Sequence, residues 1–206
     1  MSRSLSAAAG IVAPGRRPAL GGLVDRGAIT AAYVGLGVAV VAAISFLLII
    51  PIEPIYWVLS LPVGLLIGWY AGVRSGRLRG EWRRFVGNAL FAGTVTGLAL
   101  AALLLGVKSL FFYADNGYPS FNRTDQAGAV IPPTCGTGAD CVYQRYLTDQ
   151  PEALRAAGVS DAAGFSELYW AQQASTAEAI SFGAVAAAVV GGALFGTTRP
   201  RPPGKD

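Results

Sequence analysis

The sequence predicts an all-α membrane protein with four transmembrane helices, both termini in the cytoplasm, and a partly helical extracytoplasmic segment between helices 3 and 4. Hydrophobic residues make up 53% of the 206-residue chain, charged residues only 14%, and the mean hydropathy is +0.48. Soluble domains carry about 25% charged residues. Four apolar runs predict the spans, and the alternation of basic and acidic connecting segments predicts their orientation.

The second apolar run carries a glycine at every fourth position, and we take this pattern as the organising feature of the chain. The series is Gly64, Gly68, Gly72, Gly76 and Gly80. A residue without a Cβ lets another backbone approach closely, which favours helix association in lipid. We therefore predict a helix-packing ridge formed by Gly64, Gly68 and Gly72. The ridge can face either a helix of the same chain or a neighbouring subunit.

The first two spans are predicted as a helical hairpin that follows a basic tail, residues 1–27. A secretory signal peptide is the alternative for the tail, but only Arg3 precedes its short apolar piece. Residues 28–50 contain no charge, and about 20 helical residues cross a hydrocarbon core about 30 Å thick. The short turn 51–54 then leads into a second span, 55–74, which has aromatic residues near both ends, as interfacial belts do.

The third span is predicted at 85–107 and the fourth at 178–196. A capping-box pattern, Ser175 to Glu178, predicts the start of the fourth span, and a Pro-rich basic tail, 197–206, follows it. Small residues also recur at fourfold spacing on the other spans, and on the third we include Gly93 and Gly97 among the packing residues. On the first and fourth spans we attribute the same spacing to the abundance of Ala and Gly.

The distribution of charge assigns the sides of the membrane. The N-terminal tail, the 74–84 loop and the C-terminal tail hold 12 Lys/Arg and 3 Asp/Glu, whereas 51–54 and 108–178 hold 4 and 9. Basic loops stay in the cytoplasm, so both termini are expected on the cytoplasmic side of the cell membrane. The loop arginines should lie close to anionic lipid headgroups. They are Arg74, Arg77, Arg79, Arg83 and Arg84.

The outer segment, 108–177, contains both cysteines, and we predict a Cys135–Cys141 disulfide because an extracytoplasmic compartment is oxidising. A helix should start near Pro151 and stop at Gly158, and another, which could lead into the fourth span, should begin at Ser160 or Ser166. Several aromatic side chains could pack together, lie on the bilayer, or form a patch for a partner. They are Tyr143, Tyr146, Phe165, Tyr169 and Trp170.

The residues that are missing limit the chemistry. The chain has no histidine, which excludes His-ligated haem and Ser–His or Cys–His nucleophile pairs. Two cysteines alone make a poor zinc site, and the interiors of the predicted spans carry no Asp, Glu, Lys or Arg. We therefore expect no catalytic residue, no cofactor, no metal and no nucleic-acid partner.

These observations favour a non-catalytic accessory or scaffold subunit of a membrane complex, associating through the glycine ridge and the outer aromatic segment. Its expected partners are the lipid bilayer, including anionic lipids, and other membrane subunits or copies of itself. A small homo-oligomeric channel or transporter is the alternative, with Ser45, Thr94 and Thr96 lining a pore without charges. An enzyme that acts on lipid with carboxylates of the outer segment is a more distant third.

Overall fold

The structure, a computed structural model, describes residues 24–48, 53–75, 81–114, 123–124, 127–131 and 135–198. The elements in chain order are α1 (Arg26–Leu48), α2 (Glu53–Ser75), α3 (Trp82–Tyr113), β1 (Arg123–Thr124), β2 (Val130–Ile131), α4 (Ala139–Asp149), α5 (Pro151–Ala156) and α6 (Ala162–Thr198). The two strands form a two-residue antiparallel pair, which the sequence analysis did not predict.

Four of the helices, α1, α2, α3 and α6, are long and apolar enough to cross a membrane. This confirms the predicted class of helical, multi-pass membrane protein. Their lengths, however, are unequal: α1 and α2 have 23 residues each, α3 has 32 and α6 has 37. At 1.5 Å per residue the last two extend about 48 and 55 Å, well beyond a hydrocarbon core of about 30 Å.

The extra length of α3 and α6 lies at one common end of the bundle. Phe112, near the C-terminal end of α3, stacks on Phe165 near the N-terminal end of α6, with ring centroids 6.5 Å apart. Helices α4 and α5 belong to the same end, because Tyr143 of α4 also contacts the Phe165 ring, at 5.7 Å. We call this unit, α4 and α5 with residues 108–113 and 162–177, the cap.

The predicted helix start at Ser175 to Glu178 is wrong, because α6 runs through these residues without interruption, as in the alternative of an earlier helix that leads into the span. The Thr176 hydroxyl donates to the Gln172 carbonyl, 3.0 Å away, one turn back inside the helix. The preceding residues are mostly good helix formers, so nothing stops the helix there. It begins at Ala162 instead, where the Asp161 carboxylate accepts from the Gly164 N–H at 2.7 Å.

The arrangement of the spans places α6 against both α2 and α3, with which it makes the most extensive contacts in the molecule. Helix α1 packs on α2 and α3. Helix α6 runs parallel to α2, since Gly64 and Gly68 of α2 face Ala184 and Ala188 of α6 in the same order. The central position of α6 explains why small residues on two different helices face it.

Candidate functional site

The glycine ridge on α2 faces α6 of the same chain. A Cβ added to Gly64 would meet the carbonyl oxygen of Ala184, and one added to Gly68 would meet that of Ala188. A Cβ on Gly72 would enter the Phe195 ring. All three glycines are buried. The ridge is therefore occupied within a single chain, whereas Gly76 and Gly80 of the predicted series lie outside the described residues.

The glycines of α3 face α6 from the second side. A Cβ on Gly93 would lie 2.5 Å from the Cβ of Ala188, and one on Gly97 would lie 2.9 Å from the carbonyl oxygen of Ser181. The Ser181 hydroxyl in turn donates to the Gly97 carbonyl at 3.3 Å. Helix α6 is thus held between two glycine-bearing faces, and close backbone approach on both sides is what excludes larger side chains.

The small residues of α1 and α6 are packing residues too, so attributing them to the abundance of Ala and Gly was wrong. On α6 Ala184 and Ala188 are completely buried, and a Cβ on Gly192 would lie 2.6 Å from the Cβ of Ala89. On α1 Ala31 is completely buried, and Gly35 lies against the Thr96 side chain. Small residues therefore line contacts on all four spans, as expected where helices must approach without a hydrophobic driving force.

The aromatic residues of the 108–177 segment form the core of the cap. The buried members of this core are Phe112, Val142, Tyr143, Leu154 and Phe165, and Tyr146, Tyr169 and Trp170 pack against them. The Phe112 ring centroid lies 4.8 Å from that of Tyr169 and 5.3 Å from that of Trp170. This geometry favours mutual packing over the alternative of an open aromatic patch.

Tyr146 places a polar phenol group against the apolar core of the cap. Its ring centroid lies 4.9 Å from that of Phe165. Burial raises the pKa of Tyr146 above its ordinary value of 10.0, because a phenolate would lose hydration there. The phenol therefore stays protonated at physiological pH, and Tyr146 serves the cap as a packed neutral side chain.

The structure confirms the Cys135–Cys141 disulfide and places it at the start of α4, a helix that the sequence analysis missed. The two Cα atoms are 5.4 Å apart, and Cys141 is buried. Gly138 comes immediately before α4 with φ +94°, a conformation that glycine adopts readily. The bond thus ties the chain that enters the cap to the first turn of α4.

We expect protein purified without reductant and then denatured to leave neither Cys135 nor Cys141 free for alkylation. Reduction should expose both thiols and lower the stability of the cap by about 2 kcal/mol, since the closed loop is short. Alkylation monitored by mass spectrometry, before and after reduction, measures the first effect. Two reactive thiols in unreduced protein would contradict the bond.

The predicted basic loop is partly helical. Arg74 lies in the last turn of α2, and Arg83 and Arg84 lie in the first turn of α3, whereas Arg77 and Arg79 are outside the described residues. The Arg74 guanidinium carbon lies 6.0 Å from the centroid of the Tyr70 ring. Arg83 is exposed. Contact between these side chains and anionic lipid stays a prediction.

A polar junction near the same end of the bundle was missed by the sequence analysis. Asn88 of α3 is completely buried, and its side-chain oxygen accepts from the Asp25 N–H at 3.1 Å. The Asp25 carboxylate caps α1, accepting from the Gly27 N–H at 2.9 Å. A Cβ on Gly27 would lie 2.5 Å from the Ser75 nitrogen. Asn88 inside an apolar run was the available signal for a buried polar contact.

No family model, curated protein or solved structure matches this chain. Function is therefore inferred from geometry. Within the described ranges, no three His, Cys, Asp or Glu side chains come together as a metal-binding group. The hydroxyls of Thr96 and Ser45 each donate to a carbonyl one turn back, at 2.8 and 2.9 Å. The arrangement provides a packed helical bundle in which α3 and α6 extend into the cap.

Proposed function

We propose that this chain is a non-catalytic accessory or scaffold subunit of a membrane complex, and that its cap is the docking element on the extracytoplasmic side. One observation carries the proposal. Helices α3 and α6 continue without a break from the bundle into the cap, whose aromatic core joins both of them to α4 and α5. A partner that binds the cap would therefore be held in a fixed position relative to the bundle.

The contacts of the ridge glycines limit where a partner subunit could bind. Because Gly64, Gly68 and Gly72 contact α6 of the same chain, a partner helix could reach them only by displacing α6. We therefore propose that a partner binds the cap and not the ridge. The ridge then acts indirectly, by holding together the bundle that supports the cap.

The outward surface of α4 and α5 is the part of the cap that we propose for docking. It is polar and helical around a single exposed leucine, Leu147, which is 39% exposed. Arg155 and Glu152 form an exposed ion pair on α5. Docked partners commonly combine an apolar anchor with a polar rim. Leu147 supplies the anchor and the α5 pair part of the rim.

Gentle detergent extraction followed by identification of co-purifying proteins tests the proposal. We expect a membrane protein to co-purify in stoichiometric amounts with the wild type, and to be lost from Leu147→Arg. The matched control is Thr197→Arg, which places the same charge on an exposed residue at the end of α6 that lies away from the cap. Purified protein that alone conducts ions or solutes in liposomes would contradict the proposal and favour the channel alternative.

The proposed orientation has its own test. In a Cys135→Ser/Cys141→Ser background, Ser4→Cys should resist a membrane-impermeant thiol reagent in intact cells, because the basic N-terminal tail is proposed to be cytoplasmic. Ser160→Cys should react, because Ser160 is exposed between α5 and α6, next to the cap. Permeabilised cells provide the control, in which both should react. Labelling of Ser4→Cys in intact cells would contradict the orientation.

A further inference from the structure

An open groove runs between α3 and α6 on the outside of the bundle. Its volume is about 560 Å³, within the range of pockets that hold small ligands. Leu98, Ala101 and Leu105 line it from α3, and Glu178, Phe182 and Val185 from α6. Leu98 and Phe182 are 60% and 73% exposed, so the groove faces outwards, towards the lipid that surrounds the bundle.

Glu178 divides the groove into a cap side and a membrane side. The lining residues of α6 extend from Ala174 to Val185, and the stretch from Glu178 to Val185 is about 10 Å long. The Trp57 ring near the start of α2 lies against Gly183 and marks an aromatic level. Glu178 precedes Gly183 by about 7.5 Å along α6, on the cap side, at headgroup level.

The lining of the groove suits an acyl chain better than another helix. Glycine and alanine mediate the contacts of α6 with α2 and α3. Such small residues let helix backbones approach each other in lipid. Alanines line the cap side of the groove, whereas Leu98 and Phe182 flank its membrane side, where they would hold a helix backbone away. A flexible hydrocarbon chain can fill the space between them.

Glu178 is the charged residue of the lining, and it lies about one helical turn from the cap end of the groove, which Ala174 marks. Its side chain is exposed and has no ion pair with any residue that the structure describes. A carboxylate favours an ammonium group through a charge-assisted hydrogen bond and disfavours a headgroup of net negative charge. We propose that the groove binds one acyl chain of a phospholipid with a primary ammonium headgroup, which donates to the Glu178 carboxylate.

The test uses the full chain, delipidated in detergent and titrated with phosphatidylethanolamine or phosphatidylcholine of identical acyl chains. Native mass spectrometry counts the bound lipids. We expect one phosphatidylethanolamine per chain, bound about tenfold more tightly than phosphatidylcholine, whose headgroup cannot donate. Glu178→Gln, which leaves packing unchanged, should abolish this preference.

A second variant tests the acyl-chain part of the site. Thr94→Phe fills the membrane side of the groove and should weaken binding of both lipids about tenfold, whereas Ala186→Phe places the same ring on an exposed residue of α6 outside the groove and should not. Equal binding by these two variants, or a headgroup preference that survives Glu178→Gln, would overturn the proposal. So would a dimer that Thr94→Phe converts to monomer, since the groove would then be an interface between copies.

Discussion

Gly68→Leu should lower the stability of the bundle by about 3 kcal/mol, the upper end of the usual cost of overpacking. The reason is that a Cβ on Gly68 would meet the backbone of Ala188, which cannot move aside as a flexible side chain can. For a chain of this size the melting temperature in detergent should fall by about 10 °C. This result is expected for the isolated protein, with no partner present.

If the ridge associated with a partner, as the function favoured by the sequence analysis requires, Gly68→Leu would instead break that association and leave folding intact. The position of α6 does not agree with that expectation, because the ridge is already covered within the chain. The matched control is Gly106→Leu on α3, where an added Cβ would meet no atom within 4 Å. Equal melting temperatures for the two variants would contradict the packing of α2 on α6.

Phe165→Ala should destabilise the cap by about 3–5 kcal/mol while the bundle stays folded. Phe165 is 2% exposed, and its ring contacts those of Phe112, Tyr143 and Tyr146. Removing it leaves a cavity at the point where α3, α4 and α6 meet. Hydrogen exchange should become faster in α4 and α5, and stay slow in the middle of α2 and α3.

Leu147→Ala provides the control for the cap, because Leu147 lies on α4 but is partly exposed. It should change the exchange of α4 amides far less than Phe165→Ala does. If Phe165→Ala instead left cap exchange unchanged, the aromatic core would not hold the cap together. The proposed docking role would then lose the stiff support on which it depends.

The number and class of the spans could be predicted from sequence because each span is a long apolar run between charges. The helix ends could not. The residues of α6 that precede Ser175 are less apolar, yet they are helical from Ala162 onwards. A second core, built from Phe112 and Phe165, stabilises this part of the helix beyond the span. The start of a helix at Asp161 depends on one side-chain hydrogen bond, and nearby serines fit the same pattern.

The packing faces were only half predictable, for a similar physical reason. Glycines at fourfold spacing indicate a close contact, but not which helix supplies the other side. Alanine series carry still less information, since Ala188 and an alanine on a lipid-facing surface look alike in sequence. The distinction comes from burial, which is complete at Ala188 and depends on where α2 and α3 lie. The disulfide was predictable because only two cysteines exist to pair.

A double-mutant cycle at Gly93 and Ala188 tests the central claim, that α6 packs against the glycine face of α3 as well as that of α2. A Cβ on Gly93 would lie 2.5 Å from the Cβ of Ala188, so Gly93→Ala should be strongly destabilising by itself. Ala188→Gly removes the opposing methyl group and should cost about 1 kcal/mol alone, through helix propensity. Measured in detergent on monomeric protein, the double variant should be more stable than the sum of the single effects predicts, by about 1 kcal/mol. Additivity within about 0.5 kcal/mol, as found for distant sites, would contradict the account.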